Sequence, residues 1–308
     1  MAFTAKDVQA LREKTGVGMM DCKKALEASD GDMEKAIDFL REKGLAAATK
    51  KASRIAAEGV VLAYTNDSKD VNVLIEVNSE TDFVAKNEKF QNFVMRVAKT
   101  VAEKNPADVE ALLAVNLEGD SRTVQENLQD MVLAIGENLQ IRRFERVEGL
   151  AASYIHAGGA VGVLVPIETN ASDINGVLEM GKNIAMQVAA MYPSYLDEAS
   201  VPADVLDHER EIIISQMKED PKMSGKPDQV LAKIAEGKIG KYYKENCLLC
   251  QEFVRGDIFQ GSVQGYVNDV AKKLGADVKV KSFIRYAKGE GLQKREDNFA
   301  AEIASMVQ

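Results

Sequence analysis

Cysteine occurs three times in 308 residues, histidine twice, and nowhere do eighteen uncharged apolar residues run together. Each scarcity removes a class of protein. Three cysteines in a chain of this length cannot build a disulfide framework. Cys247 and Cys250 form Cys-Leu-Leu-Cys, but a zinc site usually takes four ligands, there is no second cysteine pair, and His156 and His208 stand far off in sequence. These thiols are expected to be buried or idle. The missing apolar run argues against a membrane-spanning helix. The opening residues, MAFTAKDVQALREK, have neither the apolar stretch of a secretion signal nor an Arg/Ser-rich transit character. A cytoplasmic location is the expectation.

The loops and elbows of common enzymes are missing too. No GxxxxGK[ST] phosphate cradle occurs, and the nearest stretch, Gly237-Lys-Ile-Gly-Lys241, has the wrong spacing and no following Ser or Thr. Gly158, Gly159 and Gly162 lack the third glycine that a dinucleotide turn requires. A Ser-His-Asp group would need His156 or His208 as its base, and no GxSxG elbow accompanies either. The 48 acidic residues make chance carboxylate pairs certain, so they do not indicate a glycosidase. On chemistry alone the chain reads as a binding protein, with no cofactor and no metal of its own.

Net charge is −9, which gives no general attraction to nucleic acid or to an anionic membrane. Residues 1–54 are the exception, with 11 Lys/Arg against 9 Asp/Glu. That balance suits orientation on an acidic partner.

The pattern predicts an α+β chain. Residues 1–54 read as three short helices. Thr4 and Asp7 resemble a capping box, and Gly16 stands at the first stop. A second helix over Met20–Ala28 leads into the turn Ser29-Asp30-Gly31-Asp32, and a third, carrying Ala36, Ile37, Phe39 and Leu40, is expected to end at Gly44. From Glu58 the period changes to two: Val71, Val73, Ile75 and Val77 alternate with Asn72, Leu74, Glu76 and Asn78, with Asn66-Asp67-Ser68 as the turn before them. Phe90, Phe93, Val94, Val97 and Val101 then mark a helix. About 90 residues later the order returns. Glu148-Gly149 matches Glu58-Gly59, Tyr154 matches Tyr64, Val161–Ile167 matches Val71–Val77, and a helix with Ile184, Val188 and Met191 follows. The expected domains are a helical unit (1–54), a first core subdomain (55–147), a second (148–289) that contains an inserted antiparallel helical hairpin at about 202–250, and a closing helix module (290–308) with Phe299, Ile303 and Met306 on one side. Ser282–Tyr286 reads as a returning strand. The hairpin is a candidate surface for self-association or for a partner.

Two stretches stand out. In NSETDFVAK (residues 78–86) an acid and a large aromatic lie side by side at a strand-to-helix joint. Either Ser79 or Thr81 caps the helix while Phe83 staples its first turn to the sheet, or Asp82 and Phe83 project from a rigid joint as a wedge. In LREKTGVGMMDCKKAL (residues 11–26) the adjacent Met19 and Met20 cannot both face one small helical core, so at least one belongs to the surface, where methionine suits a binding face.

LREKTGVGMMDCKKAL and EVNSETDFVAK resemble the two signature segments of the bacterial translation elongation factor Ts family, the guanine-nucleotide exchange factors of elongation factor Tu. The layout of the remaining chain is similar to the family's as well. The resemblance implies that Leu11, Met19, Met20 and Lys23 dock on the nucleotide-binding domain of elongation factor Tu, in its GDP-bound and nucleotide-free forms. It implies that Asp82 and Phe83, flanked by Thr81 and Val84, enter between two helices of that domain near the nucleotide's magnesium. It further implies that His156, in Ser-Tyr-Ile-His, touches another domain of the partner and that Phe299 and Ile303 of the closing helix pack on the nucleotide-binding domain. After His156 the chain has Ala-Gly-Gly-Ala where a basic residue is expected, so that contact differs in detail. An exchange factor of this kind performs no covalent chemistry. The alternative class is a non-exchange protein-binding module, because three short helices also resemble a ubiquitin-associated domain; such modules lack the second signature.

Overall fold

A computed structural model describes residues 3–223 and 225–293. The closing helix expected around Phe299, Ile303 and Met306 lies outside the described residues. Eleven α-helices and seven strands among the described residues make an α+β protein. The chain forms two compact units. Of the described residues, the first contains those up to Arg146, Ile155–Gly162 and 286–293; the second contains Val147–Tyr154 and those of 163–285.

The first unit begins with helices α1 (Ala5–Thr15), α2 (Met19–Ala28) and α3 (Met33–Lys51). Thr4 and Asp7 form the expected capping box, with the Thr4 N–H donating to Asp7 Oδ2 at 2.7 Å, and Gly16 closes α1 in the left-handed region. Asp32 Oδ1 accepts the N–H groups of Glu34 and Lys35 and so starts α3. Val8, Leu11, Val17, Cys22, Ala25, Leu26, Ala36 and Leu40 pack as the core of the three helices. One expectation fails here: α3 does not end at Gly44 but runs seven residues further, to Lys51. Gly44 is buried where α3 meets a later helix, α7 (Val124–Ile135), and an added Cβ would lie 3.4 Å from the Gln129 carbonyl oxygen. The glycine permits a close helix crossing rather than a stop.

Strands β1 (Glu58–Thr65), β2 (Val71–Ser79) and β3 (Gln140–Glu148) form an antiparallel hairpin and a third strand in the order β1-β2-β3. Asn66 Oδ1 accepts the N–H groups of Asp70 and Val71, which shapes the β1–β2 turn. After β2 come α4 (Asp82–Ala85), α5 (Glu88–Lys104) and α6 (Val109–Ala114), and then α7. Phe90, Phe93, Val94, Val97 and Val101 of α5 are all buried, against Val73, Ile75 and Val77 of β2 and Leu112, Val124, Val132 and Ile141 from the elements that follow. The five residues whose spacing marks a helix in the sequence form the buried face of α5.

The other face of β2 is as dry as the first. Asn72, Leu74, Glu76 and Asn78 are fully buried. The Glu76 carboxylate accepts hydrogen bonds from Arg142 (3.0 and 3.2 Å), from Arg143 Nε (2.7 Å), from Asn78 Nδ2 (3.1 Å) and from the N–H of Gly289 (2.7 Å). Arg143 also lies 4.1 Å from the centre of the Tyr286 ring, and Arg142 donates to the Glu290 carbonyl. One buried acid thus ties β2, β3 and residues 286–290 together.

The second unit holds most of β4 (Ala151–His156) and β5 (Val161–Thr169), then α8 (Ile174–Met191), α9 (Ala203–Glu219), α10 (Asp228–Asn246), α11 (Val263–Leu274), β6 (Val278–Val280) and the first two residues of β7 (Ile284–Ala287). Their sheet has the order β4-β5-β6, with β7 also pairing β5, and Ile167 opposes Val280 in an antiparallel register. The hairpin-then-helix order of β1, β2 and α5 therefore recurs in β4, β5 and α8. Two helices, α9 and α10, occupy the segment around 202–250. Arg210 pairs with Glu236 and Lys218 with Asp228, so later residues of one helix meet earlier residues of the other, an antiparallel arrangement closed over Ile213, Met217, Leu231, Ala235 and Ile239. Elsewhere in the unit Phe253 stacks on Tyr266 at 4.2 Å, and Asn183 donates to the Tyr266 hydroxyl.

Removing one member of a buried charge cluster leaves the others without compensation. Glu76→Ala is expected to lower the unfolding free energy by about 3 kcal/mol, read as a fall in the urea midpoint at unchanged slope. A loss below about 1 kcal/mol, the range of exposed pairs, would contradict this reading of the cluster.

Candidate functional site

A four-residue helix does not hold itself in water, so α4 depends on what surrounds it. Its flanks alternate in a way that separates support from display. Thr81 points into the protein, Asp82 and Phe83 point out, and Val84 is buried in the sheet–helix core. Phe83 is 79% exposed. The stapling alternative for Phe83 is therefore not what forms. Leaving such a ring in water forgoes about 2 kcal/mol of burial, which makes an exposed phenylalanine on a braced element a candidate contact rather than a packing residue.

Thr81 stands at the N-cap position of α4 but makes no side-chain cap to it. Its hydroxyl donates instead to Glu137 Oε1 at 2.7 Å, while the N–H groups of Glu80 and Thr81 donate to Glu137 Oε2 at 3.1 and 3.0 Å. The exchange is reciprocal. Glu80 Oε1 accepts the N–H of Asn138 at 2.6 Å and a bond from Arg54 at 3.4 Å, and Asn138 Nδ2 donates to the Arg54 carbonyl. Ser79 Oγ donates to the Thr81 carbonyl at 2.9 Å. Asn87 begins α5 by accepting the N–H groups of Lys89 and Phe90, so the joint is fixed at both ends. Of these supports Ser79, Glu80 and Thr81 belong to the stretch singled out in the sequence. Glu137, Asn138 and Arg54 are distant along the chain and carry no local signal.

Asp82 accepts a hydrogen bond from Lys86 at 2.8 Å, which holds its carboxyl below the usual aspartate range, so it is ionised at neutral pH. Both side chains are exposed.

The remaining predicted residues lie on other elements. Met19 and Met20, at the start of α2, are 44% and 62% exposed, so both occupy the surface. Lys23, one turn on, is exposed and pairs with Glu27 at 3.7 Å. Leu11 differs: it is fully buried among the three helices, where it supports the α1–α2 turn and offers no surface of its own. His156 ends β4 on an exposed turn in which Ala157, Gly158 and Gly159 all have positive φ. Gly159 owes its identity to packing, since a Cβ there would lie 2.2 Å from Val60 Cγ2. Phe299 and Ile303 lie outside the described residues. A cleft of about 760 Å³ within the first unit is bordered by Glu13, Asp38 and Asp130 as well as Arg41, Lys89 and Arg96. Charges of both signs favour no particular ligand there.

Fold and site together describe an α+β protein that presents an apolar side chain from a braced joint, the build of a factor that docks on another macromolecule. Comparison with known proteins makes the description specific. A family model described as elongation factor TS matches residues 80–290. The elongation factor Ts of Trichlorobacter lovleyi is 47% identical over 99% of this chain and 98% of its own length. That of Clostridioides difficile is 48% identical over 99% of both, and that of Nitratiruptor sp. 42% identical over the whole of both. The chain belongs to the elongation factor Ts family and is a factor of translation elongation.

The Cys-Leu-Leu-Cys pair has a chemistry opposite to that of a reactive thiol. Cys247 and Cys250 are free, and among the described residues no group of three or more His, Cys, Asp and Glu is placed to hold a metal ion. Burial, reinforced by Cys250 and by Glu198, pushes the Cys247 thiol up to about 12. A raised folded-state value favours the protonated form, so this contribution to stability is complete below the ordinary thiol value of 9.0 and is lost as pH rises towards about 12. The thermal midpoint is expected to fall across that window, and Cys247→Ala is expected to flatten the fall. Iodoacetamide at pH 8 is expected to modify Cys247 only after unfolding; rapid labelling of the folded protein would contradict the assignment.

Proposed function

We propose that this chain is a guanine-nucleotide exchange factor that binds elongation factor Tu carrying GDP and promotes release of the nucleotide. Membership in the elongation factor Ts family supports the exchange role in translation elongation. The observation that carries the mechanism is the exposure of Phe83 on a joint braced by Glu137 and anchored by Val84. No covalent bond is made or broken, and the chain acts in the cytoplasm where the translation machinery lies.

Exchange requires that the partner bind this protein better without nucleotide than with it. By linkage the nucleotide then weakens this protein's binding by the same factor. Much of the grip on a bound nucleotide comes from magnesium, which demands near-octahedral oxygen geometry at about 2.1 Å. A rigid ring pushed between two packed helices of the partner shifts them between discrete arrangements, because packed interiors do not deform smoothly. A displacement of about one ångström is enough to spoil that coordination. Asp82, ionised, adds repulsion toward phosphate or competes for the water shell of the metal; it is the smaller contribution. Met19, Met20 and Lys23 of α2, held in place by the buried Leu11, form a separate docking surface, and His156 a third. These contacts supply affinity, whereas Phe83 converts affinity into displacement.

Self-association through the α9–α10 hairpin stays a secondary proposal. Contact with nucleic acid or membrane is not part of the proposed function. Among the described residues no helix is long and apolar enough to cross a membrane.

GDP release from elongation factor Tu separates the two side chains of the joint. Burying the ring in the complex is worth about 2 kcal/mol, so Phe83→Ala is expected to reduce stimulated release by about thirty-fold. Asp82→Ala is expected to reduce it by about three-fold. Full stimulation by the Phe83→Ala protein would overturn the wedge mechanism.

A further inference from the structure

We propose that Glu137 is a positioning residue for exchange, acting through Phe83 by fixing the direction in which α4 presents it. The inference rests on the exchange reading above and adds a residue from a different part of the chain. Glu137 lies just after the left-handed cap Gly136 that ends α7, before β3 begins, and it is half-buried. All three of its hydrogen bonds described above go to Glu80 and Thr81. Among the described residues no lysine or arginine forms an ion pair with it, so its polar contacts are directed to this one loop.

That loop needs an outside support. Four residues make too short a helix to persist alone. The ring of Phe83 is too exposed to be fixed by its own packing. Direction must come from the residues on either side, and these divide the task. Val84 anchors the C-terminal side in the sheet–helix core. On the N-terminal side Thr81 makes no cap, and its hydroxyl and N–H are both committed to Glu137. The carboxylate does not cap α4 itself but grips the two residues that lead into it, through charge-assisted bonds stronger than neutral ones. Glu80, bound in return to Asn138, closes the arrangement into a two-way clasp. Glu137 holds the element that carries the intruding ring, and without it the ring is still present but its approach must be ordered anew in each encounter.

The test is stopped-flow release of a fluorescent GDP analogue from elongation factor Tu, with the full chain carrying Glu137→Ala, Glu137→Gln, Phe83→Ala, or Phe83→Ala with Glu137→Ala. Glu137→Ala is expected to lower the maximal stimulated rate by about ten-fold. The half-saturating concentration should change by less than about two-fold, because α2 docks unaltered. Glu137→Gln keeps one oxygen acceptor and is expected to recover to within about three-fold of the native rate. On the Phe83→Ala background Glu137→Ala should change the rate by less than about two-fold, since the side chain it directs is gone. Native-like release by Glu137→Ala, or an undiminished effect on the Phe83→Ala background, would overturn the proposal. Circular dichroism melts accompany each variant; if Glu137→Ala proves unstable, the Gln variant decides, a loss of about two- to three-fold that disappears on the Phe83→Ala background supporting the proposal, and no loss, or the same loss on both backgrounds, overturning it. Phe83→Ala alone reports on the exchange mechanism, so the two readings fail on different variants.

Discussion

A carboxylate that accepts two backbone N–H groups and a hydroxyl from a loop 56 residues earlier in the chain allows this protein to expose a phenylalanine without losing control of it. Hydrophobic burial alone would turn Phe83 inward. Instead Thr81 and Val84 on either side face the protein, one bonded to Glu137 and the other packed against the sheet, and the two residues between them are left no route to the core. The sequence Thr-Asp-Phe-Val is thus a short structural sentence: hold, display, display, hold. Each outward residue depends on an inward neighbour.

The same division recurs at larger scale. Strand β2, which leads into the joint, is buried on both faces, and Glu76 in its dry second face draws in Arg142, Arg143 and the backbone of Gly289. A strand pinned by packing on one side and by ion pairs on the other is a stiff base for the loop that follows it. At the N-terminal side, three short helices hold Leu11 and Cys22 inside and leave Met19 and Met20 outside. Flexible methionines suit a surface that adapts to a partner, and the braced ring suits one that must not adapt.

Much of this was legible in the sequence, for identifiable reasons. The caps at Thr4 and Gly16, the period-two run of β2, the apolar stripe of α5 and the helical stripes of α9 and α10 are local patterns, and local patterns survive in the fold. The residues around Asp82 and Phe83 left stapling and projection both open; the resemblance to a family signature favoured projection, and the side chains do project. What was not legible is long-range or two-sided. Gln140–Glu148 reads as Gln-Ile-Arg-Arg-Phe-Glu-Arg-Val-Glu, too charged to suggest a strand, yet two of its arginines face a buried acid. Gly44 looked like a stop because nothing in the chain around it reveals that α7 crosses there. Thr81 looked like a cap because its true partner, Glu137, lies far along the sequence.

The central claim is that the joint is set before any partner arrives, and amide hydrogen exchange in the free protein tests it directly. The N–H groups of Glu80 and Thr81, both bonded to Glu137, are predicted to exchange about a hundred-fold more slowly than an unstructured loop of the same sequence. Exchange at the rate of an unprotected loop would contradict the claim, for the ring would then have no fixed direction until the complex forms.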